Sequence, residues 1–279
     1  ITNLAEGKIV LHYHGKDEKD ESDWIAKQIK NLIEAGAKPK DFAILYRASY
    51  LSRSIEQALV EKNLKYTMWG GVRFFERKEI KDSLAYLRLL AFEDDMSFMR
   101  IINLPKRSFG KVSMEKLQTI ANDNNCSLLE ALRQNIRKPE FDKEQLRNFL
   151  SLFEKANELR KTSSISDIFD YMLTESGLKE ELRFTVEEER LENVAELASS
   201  IKYYEELNEN EEDVSLDTYL QDIALYTNAD YKKDSSSIKL MTIHQAKGLE
   251  FPYVFVLGLS EGIFLSLIHI SEPTRLGMI

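Results

Sequence analysis

Only 1 cysteine stands among the 279 residues, with 5 prolines and 11 glycines. A single thiol, Cys126, cannot close an internal disulfide, which suits a reducing compartment and excludes a disulfide-stapled secreted module. No stretch approaches the roughly 20 uninterrupted apolar residues that a membrane span requires. The first residues also lack the basic-then-apolar order of a signal peptide, so the expected location is the cytoplasm and no membrane partner is expected. Bases are outnumbered, with 38 Lys and Arg against 47 Asp and Glu and a net charge of -9. Spread evenly, such charge would repel nucleic acid. Also missing is any Gly-x-x-x-x-Gly-Lys-Ser/Thr string: Gly7, Gly15 and Gly110 each precede a lysine, but Ile9, Asp17 and Val112 follow. No acidic pair stands at a strand end to offer a metal site. The chain therefore carries no phosphate cradle of its own.

What is present suffices for one large domain or two ordinary ones, because 43% of the residues are hydrophobic. Charge is clustered rather than even. Acids gather at Glu187–Glu189 and Glu205–Glu212, read as solvated helix faces or a loop, with partner binding as the lesser alternative. Lys and Arg gather at Arg73–Lys81 and Lys106–Lys111.

The two ends of the chain carry strand signals and the middle carries helical ones. Lys8–His14 and Phe42–Tyr46 are short apolar runs of the kind buried in parallel sheets. Between them, Glu18–Ala35 places Trp24, Ile25, Ile29, Leu32 and Ile33 on one helix face before Gly36 and Pro39. A second unit follows, with a helix over Tyr50–Lys62 and a strand over Tyr66–Trp69 running into the Gly70-Gly71 turn. From about Glu76 to Leu225 the period becomes helical, as in Ile80, Leu84, Leu87 and Leu90, then Phe98, Ile101 and Ile102, then Leu191, Val194, Leu197 and Ile201. Strands resume at Ile238–Ile243 and Tyr253–Leu257, after a polar return linker at Asn228–Ser237. The economical reading is an α/β parallel-sheet domain interrupted by an inserted all-α domain.

One string joins the last two strands: Met241-Thr242-Ile243-His244-Gln245-Ala246-Lys247-Gly248-Leu249-Glu250-Phe251-Pro252. Physically it is a strand end, a sharp turn at Gly248 and the approach to another strand. Its polar side chains emerge at the carboxyl edge of a parallel sheet, where ligands sit in open α/β folds. His244 alone would read as an ordinary surface imidazole. The string as a whole resembles motif V of UvrD/Rep/PcrA-type superfamily 1 DNA helicases.

Three further segments carry the same resemblance. They are Phe42–Arg47 with Ser52-Arg53, Gly70–Asp82, and Arg100–Gly110. Matches of this kind run from Lys8 to Phe264. They imply the second RecA-like motor domain of an ATP-dependent helicase that moves 3′ to 5′ on single-stranded DNA, with a helical domain inserted in its sheet. By the same resemblance Thr242, His244, Arg47 and Arg73 face DNA, while Gly248 and Glu250 lie on the nucleotide side. An arginine suits the backbone because its planar fork can hold two phosphate oxygens. Trp69, Phe74 and Tyr46 are candidates for base stacking, each with a core position as the alternative.

In Arg100–Gly110 the relatives carry a Gly-apolar-Gly hairpin that accepts a duplex phosphate. Ser108 here takes the place of the first glycine, which puts that contact in question, since a non-glycine residue disfavours positive φ. Lys106, Arg107 and Lys111 still supply positive charge there, and together they are the candidate duplex contacts.

The resemblance implies ATP and Mg2+ as cofactors, held mainly by an amino-terminal motor domain that is itself an expected partner. The implied substrates are single-stranded DNA and junctions of single and double strands, and repair or transcription proteins are further possible partners. Expected domains are residues 1–92 and 236–264 for the motor and 93–235 for the insertion. Leu265–Ile279 departs from the family text and resembles translated sequencing adapter, so it is set aside as cloning or assembly residue. The expected parent acts in DNA repair or replication, and the fragment alone is expected to be inactive. The competing reading is a non-enzymatic DNA- or protein-binding module.

Overall fold

The computed structural model describes residues 10–184, 188–208, 215–227 and 236–259. Lys8 and Ile9, most of the expected return linker, Glu187, residues 209–212 and the tail set aside above lie outside the described residues. The chain forms two compact units, residues 1–73 with 230–279, and residues 74–229.

The first unit holds α1 (Glu18–Glu34), β1 (Phe42–Tyr46), α2 (Ser52–Glu61) and β2 (Tyr66–Met68). Helix α1 begins where the Asp17 carboxylate accepts the Asp20 N–H at 2.8 Å, with Glu18, Asp20 and Glu21 in its first turn. Acids at that end oppose the positive pole of the helix and satisfy one of its unpaired donors. The helix stops at Ala35, and Gly36 follows at a φ of 106°, a conformation glycine tolerates better than any residue with a Cβ.

After the helical insertion the chain returns as β3 (Ile238–Thr242) and β4 (Tyr253–Leu257) in the same sheet. The strand order is β2-β3-β1-β4, and every pairing is parallel. Strand β3 therefore lies between two strands that precede it by some 170 residues or more. Residues Ile238–Met241 are all buried, as an interior parallel strand requires. Phe42, Ile44, Tyr46, Ile238, Leu240 and Leu257 share a core with Ile25 and Ile29 of α1 and Ile55 and Leu59 of α2.

The second unit is helical throughout its described residues. It comprises α3 (Lys78–Phe92), α4 (Asp95–Ile101), α5 (Lys111–Asn124), α6 (Leu128–Asn135), α7 (Glu144–Leu159), α8 (Ile165–Glu175), α9 (Leu178–Phe184), α10 (Glu188–Leu207) and α11 (Leu216–Thr227). Its core is rich in rings: Phe149 meets Phe98 edge-on at 6.0 Å and Phe153 at 4.9 Å. Each side chain of that size contributes roughly 2–3 kcal/mol by leaving water. Among the described residues, side-chain caps start four of these helices, from Asp94, Ser127, Ser164 and Ser215.

Two expectations change here. Val10–His14 is not a strand; Val10 and Leu11 are 91% and 81% exposed. The Tyr13 ring stacks on Trp24 at 4.5 Å and its hydroxyl donates to Asp20, which lays the segment along α1 rather than in the ladder. The first boundary also moves: the units divide at 73/74, where the sequence reading set 92/93, while residues 228–235, which run up to the second expected boundary, lie outside the described residues. Helix α3 accounts for that shift, because Ile80, Leu84, Leu87 and Leu90 pack into the helical core rather than against the sheet.

Candidate nucleic-acid and nucleotide interface

All four strands point their carboxyl ends the same way, so the loops that follow them share one edge of the first unit. The register sets what meets there. Tyr46 pairs with Thr242, and the Ile243 N–H continues that ladder onto the Tyr46 carbonyl at 3.0 Å. The next residue outward on β1 is Arg47, and beyond Ile243 is His244. A terminal Arg47 nitrogen lies 3.4 Å from each nitrogen of the His244 ring, and both side chains are exposed. Sequence positions 197 apart are thus brought together by adjacent parallel strands.

The β3–β4 loop is folded on itself. The Gln245 N–H donates to the Thr242 carbonyl at 3.0 Å and the Ala246 N–H to the same oxygen at 3.1 Å. Gly248 takes a φ of 86°, and a Cβ built there would meet nothing within 4 Å. The turn expected at Gly248 is therefore present, with open space beside it, and Glu250 is exposed two residues on.

Arg73 is half-buried at the end of the Gly70-Gly71 turn and belongs to the same unit as Thr242 and His244. Of the three aromatic candidates, Tyr46 and Phe74 are core residues at 2% and 0% exposure, whereas Trp69, at the end of β2, is 47% exposed. Trp69 alone of the three presents a ring to solvent.

Just past the carboxyl end of β4, the Gly258 N–H points at both Glu21 carboxylate oxygens at 3.2 and 3.3 Å. Burial holds the Glu21 carboxyl above its ordinary value, and the bond from Gly258 acts the other way. Gly258 itself has a φ of 73°, and a Cβ there would lie 2.8 Å from Leu51 Cδ1.

In the helical unit the loop before α5 departs from expectation at Arg107. That side chain is 7% exposed. Its guanidinium donates to the carbonyls of Ile101, Ile102, Pro105 and Ser176 and to the Tyr86 hydroxyl, and it lies 4.9 Å over the Phe149 ring. Arg107 is therefore a bracket for the loop and not a surface cation, a correction to its expected place among DNA contacts. A planar group with five donors suits a pocket lined by carbonyls, and sequence shows the charge but not the direction it faces.

Lys106 and Lys111 remain exposed at this loop, the Lys111 side chain at 90% with a long 3.8 Å pair to Glu115. Ser108 adopts a φ of 55°, the left-handed conformation that glycine accepts most readily. Asn103 braces it by accepting the Phe109 N–H at 3.0 Å, and Lys143 Nζ donates to the Ser108 carbonyl at 2.7 Å. The N-terminus of α5, at Gly110, has no side-chain cap.

Sequence reading missed Asn103 and Gln245, both of which hold loops by side-chain bonds to backbone. Neither lies on a periodic face, and an amide in a loop gives no signal of what it reaches.

Among the described residues no group of His, Cys, Asp or Glu is placed to hold a metal ion. No described helix is long and apolar enough to cross a membrane.

A family model for the UvrD-like helicase C-terminal domain matches residues 1–276. The ATP-dependent DNA helicase PcrA of Staphylococcus epidermidis is 39% identical over 270 residues, covering 94% of this chain and 37% of that protein. The protein of the same description from Staphylococcus aureus is 39% identical over 269 residues with the same coverage. The chain thus spans little more than a third of these relatives.

Proposed function

This chain belongs to the UvrD-like helicase C-terminal domain family, and from that premise we propose that it is the second motor half of an ATP-dependent DNA helicase acting in the cytoplasm in DNA repair or replication. In this reading the carboxyl edge of the sheet grips single-stranded DNA through Arg47, Thr242, His244 and Arg73. Trp69 offers a ring on which any base can stack. ATP binds between this unit and an amino-terminal motor domain, and opening and closing of that cleft moves the grip along the strand, 3′ to 5′ by family resemblance.

The nucleotide side is Gly248 and Glu250. These residues fit that role, because the glycine leaves room beside the backbone and the exposed carboxylate can accept from a hydroxyl. Bound nucleotide would supply the phosphoryl-transfer energy. The described residues do not fit Mg2+, since no carboxylate cluster gathers there. Its ligands, like the phosphate cradle, belong to the partner domain in this reading. In the helical unit, Lys106, Lys111 and the uncapped N-terminus of α5 form the duplex-facing patch, a site for phosphate that reads no bases. The chain's acidic average does not oppose this, since a local patch decides the contact.

The observation that carries the proposal is the convergence of Arg47 and His244, 3.4 Å apart at a sheet edge where neither side chain serves the core. The test is fluorescence anisotropy of labelled oligothymidylate and mixed-sequence oligonucleotides with the whole chain. Binding without base preference is expected. Arg47→Ala should weaken it equally on every sequence and lower the salt slope by about 1, as loss of one phosphate contact does. Affinity untouched by Arg47→Ala and His244→Ala together would reject the reading.

A further inference from the structure

Gln245 reaches out of its own loop. Its Oε1 accepts the Thr242 N–H at 2.9 Å, and its Nε2 donates to the Gly70 carbonyl at 3.1 Å. The two partners lie at the ends of β3 and β2. One is a donor and the other an acceptor, so only one orientation of the amide satisfies both. Turned over, it would set NH2 against N–H and oxygen against oxygen.

Gly70 is shaped to receive it. Its φ is 73°, and a Cβ built there would lie 2.9 Å from Gln245 Nε2. A residue with a side chain would be strained at this position and would also push the amide away. The strand pairing itself ends just before this point, since β2 is three residues long and the Trp69 N–H donates to the Leu240 carbonyl at 2.8 Å. Beyond that bond, the Gln245 amide joins the loop after β2 to the loop after β3.

The geometry points to Gln245 as a positioning residue that sets the spacing between two stretches of nucleic-acid contact, Trp69–Arg73 and Thr242–His244. This rests on the reading above that both stretches face DNA. A motor that grips a strand at several points depends on their separation matching the phosphate repeat, and an error on the order of 1 Å weakens a multi-point contact. No other common side chain can substitute. Glutamate has no donor for the Gly70 carbonyl, methionine has the length but no strong polar group, and asparagine is one methylene short.

The test uses Gln245→Met and Gln245→Glu in the whole chain, with two readouts. The first is hydrogen–deuterium exchange of peptides covering residues 66–76 and 240–247. The second is oligothymidylate affinity over a range of salt. Both variants should speed exchange in Gly70–Arg73, while Glu, which still accepts from Thr242, should leave the Thr242 side better protected than Met does. Both should weaken DNA binding about three- to tenfold, the scale of one or two hydrogen bonds. For Gln245→Met the salt slope should stay at its wild-type value, because no charge changes and no phosphate contact is removed, in contrast to Arg47→Ala.

Weaker binding with unaltered exchange at Gly70–Arg73 would overturn the inference in favour of direct contact. Unchanged affinity against a wild type that does bind would overturn it alone. A wild-type chain that binds no oligothymidylate would overturn the DNA reading itself, and this inference with it.

Discussion

Lys106 and Arg107 are neighbours of the same charge with opposite surroundings, the lysine exposed and the arginine at 7% exposure. The difference decides what each does. Arg107 fills a pocket of carbonyls and a phenol, and its loss leaves several buried acceptors without a donor. Arg107→Lys is not conservative there, because three donors on one compact head cannot span the same set. We expect Arg107→Lys to cost the chain about 3 kcal/mol in urea denaturation. Lys106→Ala should leave the urea midpoint in place and reduce duplex affinity instead. The opposite pattern, a stable Arg107→Lys protein with weakened DNA binding, would restore Arg107 to the contact surface. Ser108 teaches a related point: the loss of glycine suggested a changed backbone, yet the left-handed φ is retained, braced by the bonds of Asn103 and Lys143 around it.

At the scale of elements, strands β1 and β4 coincide with the runs read from sequence, because a parallel strand calls for a continuous apolar stretch; β1 is almost wholly buried, and β4, at the end of the strand order, keeps its apolar run although Val254 is 49% exposed. The run at Val10–His14, apolar in part and broken by two histidines, has a different fate. An apolar run states a preference for burial, but a strand also needs a partner, and here Tyr13 is held by Trp24 and Asp20. Helix α3 shows the same limit from the other side, since its period was legible while the core it joins was not.

The bond between α1 and the end of β4 supplies an element-scale prediction. Burial raises the Glu21 carboxyl above its ordinary value of 4.5, so the folded chain holds that proton more tightly than the unfolded chain does. Glu21 therefore favours folding fully below about pH 4.5, and that contribution is lost as pH rises through the raised value. Glu21→Gln removes the titration while keeping an acceptor for the Gly258 N–H. Thermal melts from pH 4 to 7 should show wild type losing stability relative to Glu21→Gln over that window. Curves that stay parallel would refute it.

At the scale of the whole molecule, the match covers 37% of the Staphylococcus epidermidis relative, and the proposed function makes this chain one side of a two-sided machine. With no phosphate-cradle string in its sequence, the chain by itself is expected to release no phosphate from ATP above a protein-free control in the presence of magnesium. Sustained turnover by a preparation free of contaminating ATPase would end the proposed division of labour.

The sequence by itself determined the α/β class, the helical insertion and the string Thr242–Glu250 that marks the family, because hydrophobic period and local turn chemistry are written in neighbouring residues. Only the tertiary structure decided that β3 enters between β1 and β2, that Arg47 meets His244, that Arg107 faces inward and that Gln245 spans two loops. Those are relations between residues far apart in the chain, set by strand register and by which donors find acceptors, and no local pattern records them.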